Sequence, residues 1–160
     1  MSNEGEMLLA IRTRGDVRVR PQIQDALKKL RLGRNHSAIV VKNTPAMRGM
    51  INKVKDYVTW GEIDSEIAEI LVRKRGRLSA NRRLSDEYVK EHSEYKSMKD
   101  FSKALAAGEA KLSDVKGLKP LFRLSPPSGG YRGKINEPIK TGGVLGYRGP
   151  DINNLAKRMI

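Results

Sequence analysis

Cysteine is absent from this 160-residue chain, which removes disulfides, thiolate zinc sites and cysteine nucleophiles together. Aromatics are sparse: one tryptophan, two phenylalanines and five tyrosines. Several of these are needed for packing, so a broad platform of rings for stacking single-stranded bases is not expected. Long apolar runs are missing too. After the glutamates of MSNEGEM, residues 7–11 form a five-residue apolar run, too short for a signal core or a membrane span. No basic amphipathic anchor or lipidation pattern is visible, so no membrane partner is expected and the chain should stay in the cytosol.

Acidic residues are also in short supply, at 18 against 32 lysines and arginines, for a net charge of +14 and a pI near 10.2. Self-repulsion of that size favours a polyanionic partner, and nucleic acid is the first candidate. The charge is unevenly spread: residues 1–60 carry net +7, 61–112 net +1 and 113–160 net +6. The middle third concentrates its cations at Arg73, Lys74, Arg75, Arg77, Arg82 and Arg83 and is acidic elsewhere.

Apolar spacing supports a division into residues 1–63, 64–112 and 113–160. In the first part, residues 7–11 read as a buried strand, and Pro21 opens a helix bearing Ile23, Ala26, Leu27 and Leu30, with Gly33 as its stop. Residues 38–41 read as a β-branched strand. Asn43-Thr44-Pro45 then starts a second helix whose inner stripe is Met47, Met50, Ile51, Val54 and Val58, leaving Arg48, Asn52, Lys53 and Lys55 toward solvent. A third strand falls at 58–63, around Trp60. The order is βαβαβ, a small sheet covered by two helices.

In the middle part, Asp64, Ser85 and Ser97 are helix caps, Ser97 forming a capping box with Asp100, and Gly108 is a stop. The last part is basic and rich in Gly and Pro. Its clearest irregular stretch is SPPSGG at 125–130, and a terminal helix is expected from an Asp151 cap through Ile152, Leu155, Ala156 and Met159.

Enzyme signatures are missing. Neither His36 nor His92 stands in a motif beside a nucleophile, and nothing has metal-ligand spacing. His36, between a basic turn and a strand, suits an RNA or backbone contact. The glycines of 142–149 lack the Gly-Lys-Ser/Thr ending of a phosphate-binding loop, and the Gly133-Lys134 pair elsewhere is followed by Ile135. Arg12, Arg14, Arg18 and Arg20 lie together between a strand and a helix, where grouped guanidiniums suit phosphate. Alternation from Arg14 would aim Arg18 and Arg20 to one side. Binding to folded RNA by backbone and shape fits this composition, with Tyr131 and Tyr147, beside Arg132 and Arg148, as the candidate stacking exceptions.

The run Thr44-Pro45-Ala46-Met47-Arg48-Gly49-Met50-Ile51-Asn52-Lys53-Val54, following the Leu30-Arg31-Leu32-Gly33-Arg34 turn, closely resembles the universal large-subunit ribosomal protein number thirty family. Its eukaryotic counterpart is large-subunit protein seven. The helical extension and the PPxGG and GGxLG segments resemble archaeal members, so the likeness covers nearly the whole chain. The resemblance implies an α+β fold: a βαβαβ core with a small antiparallel sheet, ferredoxin-like, carrying a helical extension and a Gly/Pro-rich C-terminal segment. It also implies a structural place on large-subunit ribosomal RNA, with contacts near the 5S RNA, one copy per subunit, and neighbouring ribosomal proteins as partners.

Carried onto matching positions, Arg31, Arg34, Asn35, Arg48, Asn52 and Lys53 are implied RNA contacts, local structure being the other role open to Asn52. In the extension, charge alone selects Arg73, Arg75, Arg77, Arg82, Arg83, Arg132 and Arg148. No cofactor and no metal are expected. Two alternatives share the basic surface, an RNA-processing or RNA-modifying enzyme and an extraribosomal regulatory RNA-binding protein.

Overall fold

The structure is a computed structural model and describes residues 5–160. Its first half follows the order β1 (Met7–Arg12), α1 (Pro21–Lys29), β2 (Ser37–Lys42), α2 (Pro45–Lys53), β3 (Val58–Glu62). β1 is central and antiparallel to both neighbours, pairing Ile11 with Ala38 of β2 and Ala10 with Trp60 of β3. All six β1 residues are buried, because the sheet is covered on both faces. Leu8 and Ala10 point into one core with Ala26, Leu27, Ile51 and Val54. Leu9 and Ile11 point into the other. A strand buried on both sides reads as a continuous apolar run rather than an alternating one.

Local chemistry sets the helix ends. The Thr44 hydroxyl accepts from Met47 N at 3.2 Å and Pro45 occupies the first turn of α2. The stripe assigned to this helix is shorter than expected, since Val54 closes it and Val58 belongs to β3. α1 does not run to Gly33. It closes at Leu30, where Leu32 N donates to Leu27 O at 2.8 Å and Arg31 N to Lys28 O at 3.0 Å. This is a Schellman closure, and its left-handed position is held by Arg31 at φ 62 rather than by glycine.

The extension packs α3 (Ser65–Arg75), α4 (Asp86–His92) and α5 (Met98–Ala107) on the second face. Asp64, Ser85 and Ser97 accept from Ile67, Tyr88 and Asp100 backbone N–H, and Gly108 ends α5 at φ 82. Ile67, Leu71 and Val72 of α3 meet Phe101 and Leu105 of α5 over Leu9 and Ile11.

The C-terminal segment is less irregular than its composition suggests. Phe122–Arg123 forms β4, antiparallel to the start of β2, Lys134–Pro138 forms β5 and Gly143–Tyr147 forms β6. β6 joins β3 in parallel and β5 joins β6 in parallel, so the order is β4-β2-β1-β3-β6-β5. The antiparallel core sheet is thus extended at both edges by residues far away in sequence. The chain ends in α6 (Ile152–Met159), whose Ile152, Leu155, Ala156 and Met159 are buried. Asp151 does not cap it through its side chain. Asn153 makes the local tie instead, donating to Glu62 O and Pro150 O at 3.0 Å and accepting from Asp64 N at 3.0 Å.

Candidate nucleic-acid interface

β4 creates a surface that no single stretch of sequence contains. Pairing with Ser37 sets Arg123 beside the C-terminal end of α1, with Leu121 next to it. On one side lies a trough of about 280 Å³ walled by Lys28, Arg31, Arg34 and Arg123. On the other lies one of about 180 Å³ walled by Arg75, Arg77, Lys119 and Arg123. Arg123 and Leu121 border both. Among the described residues, no carboxylate lines either trough.

Lys28 and Arg75 stand in the last turns of α1 and α3, where helix carbonyls favour cations. Arg75 also fastens the two parts of the chain, donating to Arg123 O at 3.3 Å and Ser125 Oγ at 2.8 Å. Arg77 donates to Lys74 O and Gly76 O at 3.0 Å. Burial, and then the charges of Arg83 and Arg75, push the Arg77 guanidinium below its ordinary pKa. Cations held this close gain most from an anion between them, and planar guanidiniums fit phosphate oxygens in pairs.

Arg31 and Arg34 are exposed, as are Asn35, Asn52, Lys53, Arg82, Arg83 and Arg132. Asn35 Oδ1 accepts from His36 N at 3.0 Å. His36 is half-buried, its Nδ1 2.7 Å from the Tyr131 hydroxyl and its ring stacked on Tyr131 at 6.0 Å. It therefore makes a fold contact that ties the basic turn to the C-terminal segment. Burial lowers the His36 pKa and pushes the Tyr131 pKa up to about 12. Arg82 donates to Ser79 O at 3.3 Å, and Arg73 is shared between Glu69 at 3.4 Å and Asp86 at 3.9 Å, so its charge is partly compensated. Arg48 and Asn52 do not face the troughs. They line a separate cavity with Trp60, Glu62 and Tyr147.

One expected contact is corrected. Arg12 is 1% exposed, with Nε bonded to Arg14 O at 2.8 Å, one terminal nitrogen to Leu32 O at 2.9 Å and the other to the Asp16 carboxylate. Its donors hold a loop in place, so it has no face for RNA. Arg148 is half-buried, bonded to Thr59 Oγ1 at 3.2 Å and Val144 O at 3.1 Å, its pKa lowered first by burial and then by Arg158. It ties β3 to β6. The alternation inferred for Arg14 to Arg20 also fails, because residues 13–20 form no strand and Arg18 turns the chain at φ 57. Arg18 and Arg20 are exposed, whereas Arg14 donates to Asp56 O at 3.2 Å and lies over the Tyr57 ring.

Lys28, Lys119 and Arg123, which line the troughs, were not singled out from the sequence. Lys28, as a cation in a helix's last turn, carried a readable signal. Lys119 and Arg123 stand singly in KPLFR and gain meaning only from the β4 pairing.

Among the described residues no acidic, histidine or cysteine group is clustered as a metal site, and no helix is long and apolar enough to cross a membrane. The family model for ribosomal protein L30p/L7e matches residues 8–58. Similarity to individual proteins runs much further. The large ribosomal subunit protein uL30 of Methanopyrus kandleri is 48% identical over 92% of this chain and 99% of its own length. The protein of the same name from Methanobrevibacter smithii is 47% identical over 96% and 100%. That from Archaeoglobus fulgidus is 46% identical over 96% and 99%.

Proposed function

The chain belongs to the ribosomal protein L30p/L7e family, and from that premise we propose that it is a structural constituent of the large ribosomal subunit which pins folded ribosomal RNA in the two troughs beside Arg123. Its working place is the cytoplasmic ribosome, and its role is non-catalytic. One observation carries the binding mode: Lys28, Arg31, Arg34, Arg75, Arg77, Lys119 and Arg123 gather around one short strand with no described carboxylate among them. Two cationic depressions separated by a ridge suit phosphates on neighbouring backbone segments of a folded RNA. Contacts of this kind fix position and orientation without reading sequence.

Arg18, Arg20, Asn35, Lys53, Arg82, Arg83 and Arg132, all exposed, extend the basic surface beyond the troughs. Neighbouring ribosomal proteins meet the acidic helices, one copy sits on each subunit, and the 5S RNA lies nearby. The test is binding to fragments of large-subunit RNA over a salt series. With six to ten phosphates neutralised, affinity falls by roughly 10³ to 10⁵ between 50 and 200 mM salt. Replacing Arg31, Arg34 and Arg123 together by alanine flattens that dependence, and an unchanged salt slope would remove the troughs from the interface. Crosslinking in assembled subunits checks the 5S neighbourhood.

A further inference from the structure

A third depression differs in chemistry from the two troughs. α1 and α2 cover one face of the sheet, and the core beneath them contains residues of β1, β2 and β3 but none of β6. Where that cover stops, Trp60 and Tyr147 sit side by side, paired in register across β3 and β6, with ring centroids 6.5 Å apart and planes at 52°. Trp60 is half-buried against the core, while Tyr147 is 51% exposed, the most exposed aromatic among the large apolar residues. Arg48 and Asn52, one helical turn apart on α2, form the facing wall of a cavity of about 210 Å³, with Glu62 in its lining.

The Glu62 carboxylate accepts from the Tyr147 hydroxyl, which fixes the ring. That bond, with burial and the charges of Glu62 and Glu6, pushes Tyr147 up to about 12, so the ring stays neutral at physiological pH. The other Glu62 oxygen is buried with no hydrogen-bond partner among the described residues. A buried acceptor in that state calls for a donor.

Charge separates this cavity from the troughs. The troughs hold cations without a carboxylate and suit phosphate, whereas the lining here balances one cation, Arg48, with one carboxylate, Glu62, beside the aromatic pair, which favours a neutral planar group bearing N–H donors. Nucleobases with an exocyclic amino group have that chemistry, because a carboxylate accepts from such groups and any base can stack on an aromatic ring. We propose that this cavity receives one unstacked, amino-bearing base of the bound RNA, laid against Tyr147 with its polar edge toward Glu62 and Asn52. This rests on the RNA-binding role proposed above and adds a base contact to its backbone contacts.

Trp60, the only tryptophan of the chain, provides the readout. The probes are hexanucleotide backbones carrying a single adenine, cytosine, guanine or uracil in an otherwise abasic strand, with a fully abasic strand as control. The intact protein is titrated with each while Trp60 fluorescence is followed. Amino-bearing bases should quench Trp60 and bind about tenfold tighter than the abasic strand, with uracil weaker than the other three. Tyr147→Leu should erase this advantage while leaving the salt dependence intact, and Asn52→Ala, on an exposed helix face, should reduce it without disturbing the fold. Equal binding of abasic and base-carrying strands would overturn the proposal, as would crosslinks in assembled subunits that join this cavity to a protein neighbour only. Failure of the phosphate-binding role would read differently, as loss of salt-dependent binding for every strand.

Discussion

The imidazole of His36 and the phenol of Tyr131, 95 positions apart in sequence, share a 2.7 Å hydrogen bond and lie ring on ring at an interplanar angle of 18°. His36 belongs to the turn that carries Arg34 and Asn35, and Tyr131 follows the SPPSGG segment, itself stitched to α6 by Ser125 N to Met159 O and Ser128 N to Arg158 O. The pair therefore locks the C-terminal segment onto the basic turn. Burial lowers the His36 pKa, so below the ordinary value of about 6.5 the unfolded chain takes up a proton more readily than the folded one. Its contribution to stability is complete above that value and is lost as the pH falls through it toward the folded pKa. Urea midpoints from pH 8 to pH 5 should show this loss, and His36→Gln should remove that component. Identical pH profiles for the two proteins would count against it. Tyr131→Phe should cost about 0.5–1.5 kcal/mol at neutral pH, where the imidazole loses its partner.

Arg31 occupies the left-handed position of the Schellman closure at φ 62, where glycine is the usual residue. Arg31→Gly is expected to raise unfolding stability by roughly 0.5–1 kcal/mol, because relief of the side-chain strain outweighs the extra freedom of the unfolded glycine. The same change should weaken RNA binding and lower the salt slope by about 1. Stability and binding thus move in opposite directions. Urea unfolding and filter binding of one variant decide it, and a loss of both would show that the arginine is needed for the turn itself.

Arg12 and Arg123 separate two uses of the same side chain. Arg12→Ala strands the Leu32 carbonyl and deprives the Asp16 carboxylate of its partner, at an expected cost of roughly 2–3 kcal/mol, with the exposed half of that ion pair contributing little. Once folded, that variant should keep the parent's salt slope for RNA. Arg123→Ala, at an exposed position, should change stability by about 0.5 kcal/mol or less while lowering the slope by about 1. Reversed results would put the interface at Arg12.

Gly61 lies in β3 where a methyl group would overlap the Gly149 carbonyl oxygen and press on Ile152 Cγ2 at 2.9 Å. Backbone cannot yield as a flexible side-chain tip does, so Gly61→Ala should destabilise the protein by about 1–3 kcal/mol. For a chain of this size that is a loss of roughly 2–4 °C in Tm per kcal/mol. The displaced turn follows Tyr147 and Arg148 directly, so Trp60 fluorescence should shift as well. Calorimetry and emission spectra are the measurements.

Much of the first half was legible because its signals are local. Thr44, Asp64, Ser85 and Ser97 each accept from the N–H group three residues on, and these hydrogen bonds lie where the residue types place them. The apolar run at 7–11 also identified β1 correctly. The C-terminal strands were not legible in the same way. β4 has two residues, β5 is largely exposed, and β6 is interrupted by Gly146 at φ 97, so none shows the alternation that marks a half-buried strand. Their pairing comes from β2 and β3, far away in the chain.

The sequence by itself determined the family, the βαβαβ order, the helix caps at Thr44, Asp64, Ser85 and Ser97 and the need for a polyanionic partner, since composition, short-range hydrogen bonding and helical spacing are properties of neighbouring residues. Only the tertiary structure decided which cations are left open to a partner and which are used inside the fold. Charge in a sequence is a count, whereas a guanidinium's availability depends on which distant carbonyls consume its donors and whether solvent reaches it. That is why Arg12 and Arg148 became ties within the fold, why the otherwise unremarked Arg123 became the ridge between two cationic troughs, and why Trp60 and Tyr147, 87 positions apart, came to line one cavity.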